Sequence, residues 1–348
     1  MADERRAIVS MDDEMLRQTV TSFGQPAFRA SQIRQWVLKG REPEEMENLP
    51  KDFRGKLGEN FCSLSLSREY EMREESTDTT KFLFRTGDDI IIECVGLIYD
   101  DRLTVCVSTQ AGCAMGCRFC SSTEGGLIRD LRADEMVSQV ILASRILDRK
   151  TVNIVLMGSG EPLLNYDNVK SFIEYIVRED TLNIGIRHIT LSTCGIVPGI
   201  DRLTEDRLGV NLSLSLHCAV PGIREELMPV QKKYDLKDAF SACMRFRSAT
   251  GRRITLEYCV VEGTNDTEEC AFALRDLMKG TDSEVNLIDY NRKEGYRKLN
   301  SRTAADRFSK RLTELGIAHT LRRRLGSSIN AACGQLKSRY LKDSLDKR

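Results

Sequence analysis

Apolar residues recur at helical spacing over residues 12–23 and 31–39, with Ser31 placed as an N-cap of the second stretch. The first 65 residues therefore read as a small helical accessory domain. Between 81 and 99 the period shortens. Phe82-Leu83-Phe84, a turn at Gly87-Asp88-Asp89 and an apolar run from Ile90 to Leu97 predict a β-hairpin. From residue 103 onward the two periods alternate. Strands are expected at 103–108, 153–157, 188–192, 211–217, 253–261, 285–290 and 318–323. Helices are expected at 133–147, 168–177, 236–248, 267–278 and 304–315. Such alternation means βα units on a parallel sheet. The fold class is thus α/β, a partial (β/α)6 barrel, although an open sheet would show the same periodicity. The expected division is a helical domain at 1–65, a hairpin extension at 66–98, a core barrel at 99–325 and a C-terminal segment at 326–348.

Composition narrows the setting. Hydrophobic residues make up 41% of the 348 positions, enough for a sizeable core. No apolar run approaches the ~18 residues of a membrane span, and residues 1–6 lack the apolar stretch of a secretory signal. A cytoplasmic protein without membrane association is expected. Formal net charge is zero, but residues 292–348 hold sixteen Lys and Arg against five Asp and Glu, a local +11. Such a block is either an electrostatic footprint for phosphates or a solvated helix face.

Twelve cysteines are unusual for such a chain. Disulfide frameworks belong to short secreted domains, and buried inert thiols account for most scattered cysteines. Three, however, fall within eight residues: Cys113-Ala-Met-Gly-Cys117-Arg-Phe-Cys120. Thiolates are the usual ligands of iron–sulfur clusters. Three of them, on a loop loosened by Gly112 and Gly116, would hold a four-iron cluster and leave one iron open. Zinc would need a fourth ligand, and none of the three histidines lies nearby in sequence. In a βα barrel chemistry collects at the C-terminal strand ends. There the chain places Gly158-Ser-Gly160-Glu161-Pro162, Ser192, Ser215-Leu216-His217 and Asn291. Glu161 is suited to pair with an ammonium group. Three further residues stand out: Cys106, seven residues before the cluster loop; Cys333, among small neighbours; and Glu93, a carboxylate in an apolar strand. Glu93 either points to solvent or is a buried base with raised proton affinity.

The stretches CVSTQAGCAMGCRFC, MGSGEPLLNYDNV, ITLSTCGIVPGIDRL, SLSLHC, NLIDYN and AACGQL, in this order, resemble the RlmN/Cfr family of radical S-adenosylmethionine (SAM) RNA adenine methyltransferases. Glu161-Pro162 is similar to the C2-methylating RlmN branch. The resemblance spans roughly residues 25–340. It implies a [4Fe–4S] cluster on Cys113, Cys117 and Cys120, and SAM held by Gly160, Glu161, Ser192, Ser215, Leu216, His217 and Asn291. It further implies that Cys333 carries the methyl group, Glu93 accepts the ring proton and Cys106 resolves a protein–RNA crosslink by forming a disulfide with Cys333. An sp² ring carbon has no lone pair to attack the SAM methyl group, which is why a thiolate is methylated first and a 5′-deoxyadenosyl radical then activates that methyl. The implied substrate is the adenosine at position 2503 of 23S rRNA and, in some members, an anticodon-adjacent tRNA adenosine. The implied enzyme is a monomer that draws on an external electron donor.

Two departures from the family pattern are present. Ser328 stands where an Asp is common, and Arg292-Lys293-Glu294 replaces a proline-containing stretch. Alternatives share part of the pattern. C8 methylation of the same adenosine would use the same parts. Another radical SAM enzyme, such as an activase or small-molecule synthase, would need the three clustered cysteines but not Cys106, Glu93 or Cys333. A zinc or RNA-binding module would need neither SAM nor reductant.

Overall fold

The computed structural model describes residues 5–290, 301–322 and 329. In the N-terminal part, β1 (Arg6–Ala7) pairs with β2 (Phe61–Cys62) around helices α1 (Asp13–Ser22), α2 (Arg29–Leu38) and α3 (Lys51–Asn60). The Asp12 carboxylate caps α1 by accepting from Met15 N at 2.7 Å. Ser31 does not cap α2. That helix already begins at Arg29, led in by a tight turn in which Arg29 N donates to Pro26 O.

Strands β3 (Leu66–Glu74), β4 (Thr79–Thr86), β5 (Ile91–Tyr99) and β6 (Arg102–Cys106) then form an antiparallel meander, one strand, β3, more than the expected hairpin and the strand expected at 103–108 supply. β3 carries mostly charged and exposed positions at the sheet edge, so its sequence shows little apolar alternation. A two-stranded ribbon, β7 (Gln110–Gly112) with β8 (Leu127–Asp130), brackets the cysteine loop. Five βα crossovers follow: α4 (Ala133–Leu147) to β9 (Thr151–Leu156), α5 (Tyr166–Val177) to β10 (Ile189–Thr193), α6 (Val197–Glu205) to β11 (Asn211–Ser215), α7 (Pro221–Leu227) and α8 (Leu236–Thr250) to β12 (Ile254–Val260), and α9 (Glu268–Met278) to β13 (Glu284–Asp289). A sixth, α10 (Ser301–Glu314), leads to β14 (His319–Leu321). The expected helices recur, and α6 and α7 are additions. Both start at a proline turn and are short, so their period is hard to read.

One ten-stranded sheet results, in the order β14-β13-β12-β11-β10-β9-β6-β5-β4-β3. β6 and β9 to β14 run parallel, the six-unit partial barrel that the alternation implies. Strand alternation splits its faces. Leu191, Leu212, Leu214, Ile254, Leu256, Val285 and Leu287 are fully buried core residues. The alternate positions, Ser192, Ser213, Ser215, Glu257 and Asn286, are polar and share the opposite face. That polar face forms the interior of the partial barrel. Among the described residues no helix is long and apolar enough to cross a membrane.

Candidate active site

The cysteine loop is built from its two ends. Cys113 N donates to Gly126 O at 3.0 Å, Cys120 N donates to Cys117 O at 3.1 Å, and the Thr123 hydroxyl donates to Cys120 O at 2.9 Å. Arg118 N reaches Leu227 O at 2.9 Å and ties the loop to α7. The loop folds over the C-terminal strand ends and closes a cavity of about 880 Å³, its open mouth included. Cys113, Cys117 and Cys120 line that cavity together with Gly160, Ser192, Ser215 and His217. The fold thus gathers seven of the residues singled out in the sequence, drawn from three separate strand ends and the loop.

The floor is held by buried polar groups. Ser108 N donates to Gln139 Oε1 at 2.9 Å and Gln139 Nε2 donates to Ser108 O at 3.0 Å, so α4 grips the end of the first barrel strand. The Ser108 hydroxyl accepts from Ser159 N at 2.9 Å, and Glu161 N donates to Gln110 Oε1 at 2.9 Å. The Gly158–Gly160 turn therefore lies flat on residues 108–110, and a Cβ on Gly160 would meet the Gln110 side chain at 2.6 Å. Glu161 is 3% exposed, and its carboxylate accepts from Leu163 N at 3.1 Å and Cys194 N at 2.8 Å. Those bonds lower its proton affinity, but burial outweighs them and raises it. The carboxylate is spent on backbone amides, and its neighbour Gly160 supplies the cavity wall. Leu216 is buried beneath the wall, and Leu216 N and His217 N both donate to Glu257 O. His217 is also buried. Its Nδ1 accepts from Cys259 N at 2.9 Å, and its ring meets Phe119 edge-on with centroids 4.4 Å apart. Burial, and then the nearby Arg224 charge, depress His217 to about 3, so the ring is neutral.

Glu257, Arg224 and Arg322 were not singled out as site residues. Glu257 lines the cavity at 4% exposure, receives Asn286 Nδ2 at 3.2 and 3.0 Å on its two oxygens, and lies 3.9 Å from an Arg322 nitrogen. Its place opposite buried Leu256 in a strand was the available signal. Arg224 is fully buried and donates to Leu216 O at 3.2 Å, Cys194 O at 2.9 Å and Gln231 Oε1 at 2.7 Å, binding two strand ends to each other. Arg322 belongs to the basic C-terminal block, yet it turns inward to line the cavity. The rest of that block from Arg323 onward, Ile329 excepted, lies outside the described residues, as do Asn291 and Cys333.

Glu93 and Cys106 sit beside the cavity. Val95 pairs with Cys106 across β5 and β6, and Glu93 lies two residues from Val95 on the same face. Val95 and Cys106 pack with Val155, Met157 and Ile329, and Met157 lines the cavity. Glu93 is buried at 6% exposure, which settles its orientation. Burial raises its proton affinity, and the Lys81 ammonium opposes that.

The three clustered thiols fit an iron–sulfur cubane. They face one cavity, and each of Cys113 and Cys117 feels the charge of its neighbours. Burial holds Cys113 up at about 11 and pushes Cys117 further up, so ligation must displace protons. Among the described residues, no three His, Cys, Asp or Glu side chains converge on one ion. A cubane offers separate irons at separate corners, and its thiolates need not converge.

Residues 107–274 match the model of the radical SAM superfamily, and residues 7–62 match that of the ribosomal RNA large subunit methyltransferase N-terminal domain. A probable dual-specificity RNA methyltransferase RlmN of Clostridium perfringens is 44% identical over 333 residues, covering 94% of this chain and 96% of that protein. Its counterpart in Clostridium botulinum is 46% identical over 319 residues, covering 91% and 92%. The crystal structure of a radical SAM methyltransferase from Sphaerobacter thermophilus superposes with a TM-score of 0.87 at 38% identity, covering 95% of this chain and 98% of that one. With such identity sustained over nearly its full length, the chain belongs to the RlmN/Cfr family of radical SAM RNA methyltransferases, enzymes that use a [4Fe–4S] cluster and S-adenosylmethionine.

Proposed function

We propose that this chain methylates C2 of adenosine 2503 in 23S rRNA, with an anticodon-adjacent tRNA adenosine as a second substrate, through a methylated cysteine and a covalent protein–RNA intermediate. The observation that carries the reading is the packing of Ile329 against Cys106 and Val95. Cys333 follows Ile329 by four residues, a reach of at most ~14 Å of chain. Ile329, four residues from Cys333 in the chain, thus packs against the second cysteine that the chemistry requires.

In this reading Cys113, Cys117 and Cys120 hold the cluster and leave one iron for SAM. Gly160, Glu161, Ser192, Ser215, Leu216, His217 and Asn291 hold SAM against it. Bound there, cluster and SAM supply the methyl group and the radical chemistry that an unreactive ring carbon demands. Cys333 carries the methyl group as a thioether. Glu93 takes the proton from the methylated ring position, its buried site keeping water away from that transfer. The Cys106 thiolate then attacks the Cys333 sulfur. The bond from that sulfur to the RNA-bound carbon breaks, its electron pair stays with the carbon, which takes up a proton to become the new methyl group, and the two cysteines are left as a disulfide for the cellular electron donor to reduce. The polar inner face from Ser192 to Asn286 suits a nucleoside cofactor. The four-part division at 65, 98 and 325 belongs to the same reading.

The experiment separates the cysteines. Cys106→Ala should be methylated on Cys333, add to RNA and accumulate the covalent species, whereas Cys333→Ala should form neither thioether nor crosslink. Both are read by denaturing gel and mass spectrometry with a 23S rRNA fragment. A crosslink in Cys333→Ala and not in Cys106→Ala reverses the two roles, and a crosslink in neither sinks the proposal.

A further inference from the structure

Lys81 occupies a place where a lysine is expensive. Its side chain is 1% exposed, and burial in a sheet disfavours an ammonium unless an opposite charge lies close. Its Nζ lies 2.7 Å from Glu93 Oε1, and Glu93 is itself 7% exposed at the side chain. The register explains the meeting. Lys81 pairs with Val95 and Leu83 pairs with Glu93 across β4 and β5, so Lys81 and Glu93 are diagonal neighbours on one face. Phe82, Phe84 and Cys94, on the alternate positions, belong to the large apolar core. Val95 carries the Lys81 face on to Cys106, and Met157 carries it to the cavity rim. An ammonium, a carboxylate and a thiol therefore share the strip of sheet that leads to the site. An ion pair buried this deeply is commonly no more stable than a well-packed apolar pair, so fold stability alone does not account for it.

We propose that Lys81 is a positioning residue for Glu93, holding its carboxylate ionised and aimed along the Cys106 face so that it can receive the ring proton at neutral pH. This rests on the assignment of Glu93 as the proton acceptor. In that step the ring C–H bond breaks, its electron pair stays with the ring, and an O–H bond forms on Glu93. Lys81 remains an ammonium throughout. Two influences act on Glu93: burial, the larger, raises its proton affinity, and Lys81 lowers it by charge and by hydrogen bonding. Without Lys81 burial acts alone, and the carboxyl group keeps its proton to higher pH, where it is a poorer acceptor for the ring proton. Among the described residues, the titratable and charged groups on this face besides Glu93 are Lys81 and Arg85 from β4, Tyr70 and Glu74 from β3, Tyr99 from β5, and Arg102 and Cys106 from β6, with Lys81 the one in contact at 2.7 Å; Cys94 lies on the opposite face.

The test uses full-length reconstituted enzyme with a 23S rRNA fragment, and follows methyl transfer against pH at saturating SAM. Lys81→Met should lower kcat about tenfold or more at pH 7 and move the acid limb of the profile upward by about one pH unit or more, one unit being tenfold. The KM for RNA and the extent of Cys333 methylation should hold. Lys81→Arg, which keeps the charge, should restore the acid limb. If Lys81→Met does not fold, Lys81→Gln, whose amide can still donate to Glu93, should move the acid limb upward by a smaller amount, because it loses the charge and keeps the hydrogen bond. A neutral variant with the unaltered acid limb and kcat overturns the inference. Glu93→Gln distinguishes the two failures. If it is fully active, the assignment of Glu93 falls; if it is inactive while the neutral Lys81 variants keep the unaltered profile, the Lys81 inference falls alone.

Discussion

Gly112 offers the sharpest test of how the fold prepares the cluster loop. It precedes Cys113, sits at φ +78°, and lies at the irregular end of the β7–β8 ribbon. A Cβ built there would stand 2.1 Å from Gly126 O, a backbone atom that cannot swing aside. Gly126 O is also the acceptor for Cys113 N at 3.0 Å. Gly112→Ala therefore meets two penalties. The left-handed backbone costs a non-glycine residue roughly 1–2 kcal/mol. Displacing the carbonyl breaks a hydrogen bond and strands a part-buried amide beside a cluster ligand, about 1–3 kcal/mol more. The control is internal. Gly126 has nearly the same φ, +72°, and nothing within 4 Å of its would-be Cβ. Gly126→Ala should incur the first penalty alone. The expected difference between the two variants is thus about 1–3 kcal/mol, all of it at the cluster loop. Calorimetric melting under anaerobic conditions measures the stability difference, and iron and sulfide analysis after reconstitution measures the loss of cluster. Equal melting temperatures and equal iron content in the two variants would refute the argument, because the shared φ penalty would then be the whole effect.

Two other outcomes follow from buried groups at the site. Gln139→Leu removes both partners of the Ser108 backbone and leaves a buried N–H and C=O unpaired, at a cost of roughly 2–5 kcal/mol. Urea unfolding checks this, and a loss below about 0.5 kcal/mol would contradict the pairing. His217 titrates at about 3 in the fold against an ordinary 6.5, so between these values the unfolded chain binds a proton that the folded chain refuses. Stability therefore falls as pH drops through that window, by about 2–3 kcal/mol between pH 7 and 4.5 from this group. His217→Gln should lack that component, and identical pH slopes in variant and parent would dismiss it.

The chain alone already specified a good deal, because its signals are local. Three cysteines in eight residues can be counted without a fold. The alternation Asn211-Leu-Ser-Leu-Ser215 carries both the strand and its two-faced character, since side chains on a strand must point to opposite sides. The helix over 133–147 was legible to the residue, because Asp134 and Glu135 mark its first turn and Glu135 closes a capping box on Arg132 N. Other features depend on distance in sequence and had to wait for the tertiary structure. Glu93 in an apolar strand was ambiguous until Lys81, twelve positions earlier, proved to lie beside it on the neighbouring strand. Glu257 and Arg224 look like ordinary charged residues in sequence. Only the partial barrel turns the first toward the cavity and buries the second among strand-end carbonyls. Arg322 is one charge of a basic C-terminal block in the sequence, and the pairing of β14 with β13 sets it at the cavity wall. The physical reason is the same in each case. Periodicity and caps are set by neighbours within a turn or two of chain, whereas burial of a charge is set by whichever distant strand packs against it.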